Sequence, residues 1–473
     1  MQSDAGSVFW SGVEAMTAAL LSFASAFVVA RLVGPAEVGI GAAAVAVHVL
    51  LWVALTALFA DPLVQRGAAD DAAFSTAFAV SVALGCGAAA LQAGLGPVLA
   101  VSLGDHRLLA MSGVLALPLP LVGAAGPVQG MLTRQRAYRT LALRTLIGQG
   151  LGTLTGVACA LAGAGAWALV AQQLVTSALG ALSLLLHAPV RPRYVYNRQS
   201  LREMLRIGMP LTASTLVQHG RYRLFALLIG ATAGPAALGQ VHMAFRLVDA
   251  VRELAFTAQW RLMLPPLSER QRDLVALLTD MDRCLAWSSI AVFPLCAAMG
   301  VSIQPLVALL LGAVWQPSGE AALPLIALTV WLFLAFPAGV AVIARGEARY
   351  TLTANVAGTV ATAVGVLLVR PATPLAAVLV WLGAQAFVSP YVLLTNAKVL
   401  HTTALRPLRA GVSLLVMSAL ATCAAFVLPG VLGEPQSPAW LLVLRLAIVS
   451  TICLPAMFAA APLALFRRAL APH

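Results

Sequence analysis

Charge is what this sequence has least of. Only 10% of its 473 residues are charged and 61% are hydrophobic, a balance no soluble domain of this size shows. Lysine is almost absent: Lys398 is the single one among 29 basic residues. Long polar segments are missing too, so the chain has no room for an extramembrane catalytic domain. Cysteine is sparse and scattered. Cys86, Cys159, Cys284, Cys296, Cys423 and Cys453 each sit alone in an apolar run, without the Cys-x-x-Cys or Cys/His spacing that a zinc site or a disulfide framework needs. Neither metal nor cofactor is expected. The net charge of +12 does not imply nucleic acid, because the arginines lie mostly in short links between apolar runs.

What is present is a succession of apolar stretches, each near the ~20 residues a helix needs to cross a bilayer. About 14 are predicted: 8–30, 38–60, 74–103, 108–132, 145–165, 166–188, 207–230, 239–262, 284–312, 320–343, 350–369, 374–395, 412–432 and 438–466. The opening MQSDAGSVFWSG lacks a basic n-region, so it reads as the lead into a first span and not as a cleaved signal. With the N-terminus in the cytoplasm, twenty basic residues fall in inner connections, against Arg31, Arg107 and Arg370 in outer ones. The positive-inside rule then places both termini in the cytoplasm.

The sequence repeats itself. Gly34-Pro35-Ala36-x-x-Gly39 returns as Gly234-Pro235-Ala236-x-x-Gly239, after the first and seventh spans. TRQRAYRTLALR (133–144) is echoed by ARGEARYTLTAN (344–355), after the fourth and tenth. A repeat of six spans keeps both copies in one orientation, so their pseudo-two-fold axis runs along the membrane normal. The expected fold is an all-α polytopic membrane protein of two six-helix lobes, 1–206 and 207–411. An extra helix pair and a short tail fill 412–473. Two lobes about a central cavity suit an alternating-access transporter.

The seventh and eighth spans carry charge at or near mid-depth: His219, Arg221, Arg223, His242, Arg246, Asp249, Arg252 and Glu253. An arginine at a helix centre costs about 2.5–3.5 kcal/mol on insertion scales, so such residues face water or a partner. At about 100° per residue, His242, Arg246, Asp249 and Glu253 fall within roughly 60° of one another, with Arg252 beside them. Pairs such as Arg246 with Asp249 could simply pin helices together. Four arginines against two carboxylates nonetheless leave positive charge over, and guanidinium binds phosphate through bidentate, charge-assisted bonds. Glu14, about six residues into the first span, is a buried carboxylate open to two readings, ion coupling or pairing with an arginine.

These residues sit in a chain that resembles a known family. VFWSGVEAMTAALLSFASAFVVARLVGPAEVGIGAAAVAV, DPLVQR (61–66), QGMLTRQRAYRTLALR (129–144), GAGAWALVAQQ (163–173) and RPRYVYNRQSLREMLRIGMP (191–210) resemble the Wzx-type polysaccharide flippases. That family shares a superfamily with the multidrug and toxin extruders and the lipid II flippases. The resemblance implies a multi-pass protein of the bacterial inner membrane that is not an enzyme. Its substrate would be an undecaprenyl-diphosphate-linked oligosaccharide, moved to the periplasmic leaflet for exopolysaccharide, capsule or O-antigen synthesis. Membrane lipids and other polysaccharide-assembly membrane proteins are the implied partners, and nucleic acid is not one. Carried onto this chain, the cationic cavity falls on Arg221, Arg223, Arg246 and Arg252, with His219 and His242. Glu14, Asp249 and Glu253 are the available carboxylates for coupling or gating. The competing reading is a cation-coupled multidrug exporter of the same fold, which would want an acidic, aromatic-lined cavity. A membrane glycosyltransferase or polymerase would need a larger extramembrane loop or paired interfacial carboxylates.

Overall fold

Hydrocarbon offers no partner for a backbone N–H or C=O, so a chain this apolar must satisfy its backbone within each segment, which only a helix does. The computed structural model describes residues 21–65, 71–188, 195–269, 273–432 and 437–469, and these are helical almost throughout. In order they form α1 (Leu21–Val33), α2 (Pro35–Gln65), α3 (Asp71–Leu103), α4 (Arg107–Ala116), α5 (Leu119–Arg134), α6 (Tyr138–Leu161) and α7 (Trp167–Leu186). Then come α8 (Arg198–Glu269), α9 (Leu274–Leu310), α10 (Gln316–Ala344), α11 (Ala348–Val369), α12 (Pro374–Val399), α13 (Arg406–Leu432) and α14 (Pro438–Ala469). Among the described residues ten helical segments are long and apolar enough to cross a membrane, and two shorter apolar ones, Leu21–Val33 and Pro438–Cys453, accompany them. α4 and α5 count as one such segment, interrupted at Leu117-Pro118, where proline cannot donate to the helix ladder.

α8 is 72 residues long because two helices run together through Gly234, whose backbone is non-helical (φ 86°, ψ 171°). Gly34 has the same φ of 86° at the junction of α1 and α2. Only glycine takes that left-handed φ without strain, and each is followed by a proline suited to open the next helix. The two matching segments then meet. A Cβ on Gly39 would strike the Pro235 carbonyl and lie 3.0 Å from the Gly239 nitrogen. A Cβ on Gly239 would strike the Pro35 carbonyl and lie 3.0 Å from the Gly39 nitrogen. The contact is reciprocal and backbone to backbone. The repeat was visible in the sequence; that its copies touch each other was not.

The chain divides into two compact units, Met1–His242 and Met243–His473. That division follows compactness, whereas 1–206, 207–411 and 412–473 follow the sequence repeat. Compactness draws the first stretch of α8 into unit 1 because its side chains pack there: Met204 joins Phe59, Phe74, Leu119 and Val122, while Ala226 and Leu238 join Ile40, Val47, Leu103 and Met111. Unit 2 has one core around Met263, Leu277, Met281 and Ala341, and another around Val301, Ala421, Ala425 and Val449. Asp273 caps α9, its carboxylate accepting from the Val275 and Ala276 N–H groups at 3.1 Å each.

Two isolated intramembrane polar residues bond to neighbouring helices. His48 is fully buried in α2 and bonded at both ring nitrogens, to Leu115 O and Ser177 Oγ, each at 2.9 Å. Arg445 is buried in α14, donates to Val301 O at 3.3 Å and lies 4.7 Å over the Phe426 ring.

Candidate functional site

The ionised residues singled out by the sequence lie along α8, on both sides of Gly234. The boundary between the two units falls just after His242, so they form two groups. In unit 1, Arg221 and Arg223 are half-buried and His219 is exposed. Tyr222 Oη stands 3.0 Å from His242 Nδ1, and the Arg223 guanidinium lies 5.5 Å over the Tyr222 ring. The bend at Gly234 makes this possible by turning the chain, so that His242 comes back within reach of Tyr222. One arginine, one phenol and one imidazole are therefore gathered on α8 within hydrogen-bonding and cation–π range. Tyr222 was not read from the sequence. Its signal was weak, since one tyrosine beside two arginines in an apolar run resembles packing.

In unit 2, Arg252 Nη2 pairs with Asp249 Oδ1 at 2.6 Å, one turn apart on the same face. Both side chains keep more than a third of their surface, so this is a short ion pair open on one side and not a sealed internal bridge. Arg246 is half-buried and Glu253 exposed. This group sets two guanidinium groups, Arg246 and Arg252, beside two carboxylates, Asp249 and Glu253. The apolar wall beneath is formed in part by Phe245, whose ring meets Trp381 edge-on at 5.2 Å. Farther along the helix Gln259 donates to Ser288 Oγ at 3.2 Å, tying α8 to α9. Glu14 lies outside the described residues.

A further group of charges lies at the starts of α2 and α4. Arg107 spans Glu37 (2.7 and 2.9 Å) and Asp105 (2.7 Å), while the Ala166 N–H donates to Glu37 at 2.8 Å. The Arg107 guanidinium holds the Asp105 carboxyl below its ordinary range. Glu37 occupies the fourth place of the first Gly-Pro-Ala segment, where the second copy has Ala237, so this clamp exists in one copy only.

Chemically, the stretch of α8 is suited to binding. It offers guanidinium donors, a phenol and imidazoles among apolar residues. Comparison with known proteins gives that arrangement a setting. Residues 28–320, more than half of the chain, match the family described as polysaccharide biosynthesis protein. The succinoglycan biosynthesis transport protein ExoT of Rhizobium meliloti (strain 1021) is 22% identical over 315 residues, 65% of this chain. The match spans 62% of that relative's length. Among solved structures, the lipid II flippase MurJ in an inward closed conformation aligns with 98% of this chain and 99% of its own. The TM-score is 0.78 at 11% identity. An inward-facing multidrug resistance transporter of the MATE family, in the MOP superfamily, aligns with 81% of this chain and 98% of its own. The TM-score there is 0.59 at 16% identity. At such identities the structural likeness is one of fold, and the family match carries the assignment: the chain is a multi-pass membrane protein that belongs to the polysaccharide biosynthesis protein family.

Proposed function

We propose that this protein is a flippase that moves an undecaprenyl-diphosphate-linked oligosaccharide from the cytoplasmic to the periplasmic leaflet of the bacterial inner membrane. Transport would proceed by alternating access between the repeat halves 1–206 and 207–411, with 412–473 as an accessory pair and both termini in the cytoplasm. The single observation that carries this reading is the excess of arginine in the apolar reaches of α8. Along the sequence Arg221, Arg223, Arg246 and Arg252 outnumber the carboxylates Asp249 and Glu253, in segments otherwise fit for a bilayer. Charge of that sign and fork geometry suits a diphosphate.

In this reading Arg246 and Arg252 hold the diphosphate, and Arg223, Tyr222 and His242 are a separate polar group within unit 1. His219 and Arg221 are further substrate-binding candidates on the same stretch of unit 1. The Asp249–Arg252 pair keeps the guanidinium oriented before substrate arrives, and opening it frees a carboxylate for coupling or gating, the role assigned to Glu14 and Glu253 as well. A cation-coupled multidrug exporter would need the opposite balance of charge. Binding of a labelled undecaprenyl-diphosphate sugar to the purified protein tests the proposal. It should weaken in the order arginine, lysine, alanine at positions 246 and 252, because lysine keeps the charge and loses the fork. Full affinity in a folded Arg246→Ala/Arg252→Ala variant rejects α8 as the substrate site.

A further inference from the structure

Within unit 2, the hairpin of α11 and α12 carries a groove of about 650 Å³, lined only by apolar side chains and glycine. On α12 the lining recurs every three or four residues, at Ala376, Val380, Gly383 and Phe387. Ala377, Trp381 and Val388, on another face of the same helix, are buried. The groove therefore lies on a side of the hairpin that the protein leaves uncovered, and Val369 and Phe387 at its two ends are exposed. Both helices are long and apolar enough to cross a membrane, so this side meets hydrocarbon. Glycine makes the concavity. A Cβ on Gly365 would come within 2.9 Å of Val380 Cγ1, whereas a Cβ on Gly383 would meet nothing within 4 Å.

The length of the groove is a second observation. At 1.5 Å per residue, the lining rises about 12 Å along α11, from Ala361 to Val369, and about 16 Å along α12, from Ala376 to Phe387. That is about half of the ~30 Å hydrocarbon core, the depth of one leaflet measured from the α11–α12 turn. A helix of a second copy would cross the whole core. An acyl chain occupies one leaflet.

A charge stands at the turn. Arg370 follows Val369 and closes α11 at φ 47°, ψ 62°, a left-handed conformation that favours glycine. Pro371 comes next, and the Thr373 hydroxyl oxygen accepts from the Ala376 N–H at 3.2 Å, so the turn is held on both sides. An arginine here answers the dipole of α11, but one placed a turn earlier would do so at an ordinary φ. Arg370 is exposed, and its guanidinium has no partner among the described residues. An apolar groove one leaflet deep with a free guanidinium at its interfacial end matches a lipid in both parts, chain and phosphate. We infer that the α11–α12 groove binds an anionic glycerophospholipid, with one acyl chain in the groove and the phosphate on Arg370. The undecaprenyl chain of the proposed cargo is far longer than one leaflet, and the inference does not rest on what the protein carries.

The test is native mass spectrometry of the purified full chain, titrated with phosphatidylglycerol or phosphatidylcholine of matched chains. Wild type should bind a first phosphatidylglycerol about tenfold more tightly than phosphatidylcholine, the scale of one charge-assisted contact. Arg370→Gly suits the left-handed turn, so it should unfold in detergent no sooner than wild type and yet lose that preference. A role in the turn alone would not separate the two readouts. Gly383→Leu fills the groove without meeting protein at its Cβ, and it should weaken both lipids about tenfold. Equal wild-type affinity for the two lipids, a preference retained in Arg370→Gly, or undiminished binding in Gly383→Leu overturns the inference. A dimer that Gly383→Leu dissociates also overturns it, making the groove a face for a second copy. If Gly383→Leu does not fold, Val364→Phe, which narrows the groove from α11, decides by the same criterion.

Discussion

Two pairs of matched segments in this chain behave in opposite ways. The Gly-Pro-Ala segments at 34–39 and 234–239 are alike, and they meet each other through Gly39 and Gly239. The helix pairs α6–α7 and α11–α12 follow matched stretches, 133–144 and 344–355, yet their grooves differ in kind. The α6–α7 side holds Arg144, Gln149, Gln173 and Thr176. The groove between α11 and α12, about 650 Å³, is lined by Ala361, Val364, Gly365, Leu379, Val380 and Phe387 and carries no charge. Where two backbones must touch, packing leaves no choice of side chain. Where two helices merely adjoin, an apolar lining suffices, so a polar one has a reason other than the fold.

The largest expected effect breaks the first match. Gly39→Val or Gly239→Val must push two backbones apart, and either should destabilise the folded protein by about 3 kcal/mol, at the upper end for overpacking. Unfolding in detergent would measure it. A large cost at Gly39 with none at Gly239 would mean that the contact is not reciprocal.

A smaller effect separates the two Gly-Pro-Ala copies. Glu37→Gln loses the Arg107 ion pair but keeps an acceptor for the Ala166 N–H, so it should cost about 1 kcal/mol or less, given how exposed the pair is. Ala237→Gly, at the same place in the second copy, breaks no such clamp. Smallest of all is the Asp105 carboxyl. Because Arg107 lowers its pKa on folding, its contribution is present above the ordinary value of 3.8 and lost as pH falls through the lower folded value. Acid unfolding curves of wild type and Asp105→Asn should therefore converge below 3.8.

The helices were legible because hydrocarbon imposes one rule on every span; ten described segments are long and apolar enough to cross a membrane, against the 14 expected, with α4 and α5 sharing one of them and α8 merging two predicted runs. The Gly-Pro-Ala repeat was legible for the same kind of reason, since glycine at positive φ and proline after it leave a pattern in sequence. What could not be read were contacts between distant residues. Arg144 looks like one more inner-loop charge until α6 is seen to begin at Tyr138 and Gln129 to lie beside it. The glutamines at 129, 149 and 173 were the available signal, three amides in apolar runs with nothing nearby in sequence to bond them. Tyr222 illustrates the harder case, because its meeting with His242 depends on the bend at Gly234.

The central claim is that the arginines of α8 exist to hold a lipid-linked diphosphate. Its most direct test is transport of a defined undecaprenyl-diphosphate oligosaccharide into proteoliposomes by wild type and by Arg246→Ala/Arg252→Ala at equal membrane abundance. The account predicts transport by the wild type and a loss of roughly a hundredfold in the variant, the scale expected when two charge-assisted contacts are removed. Wild-type rates in the double variant would contradict it.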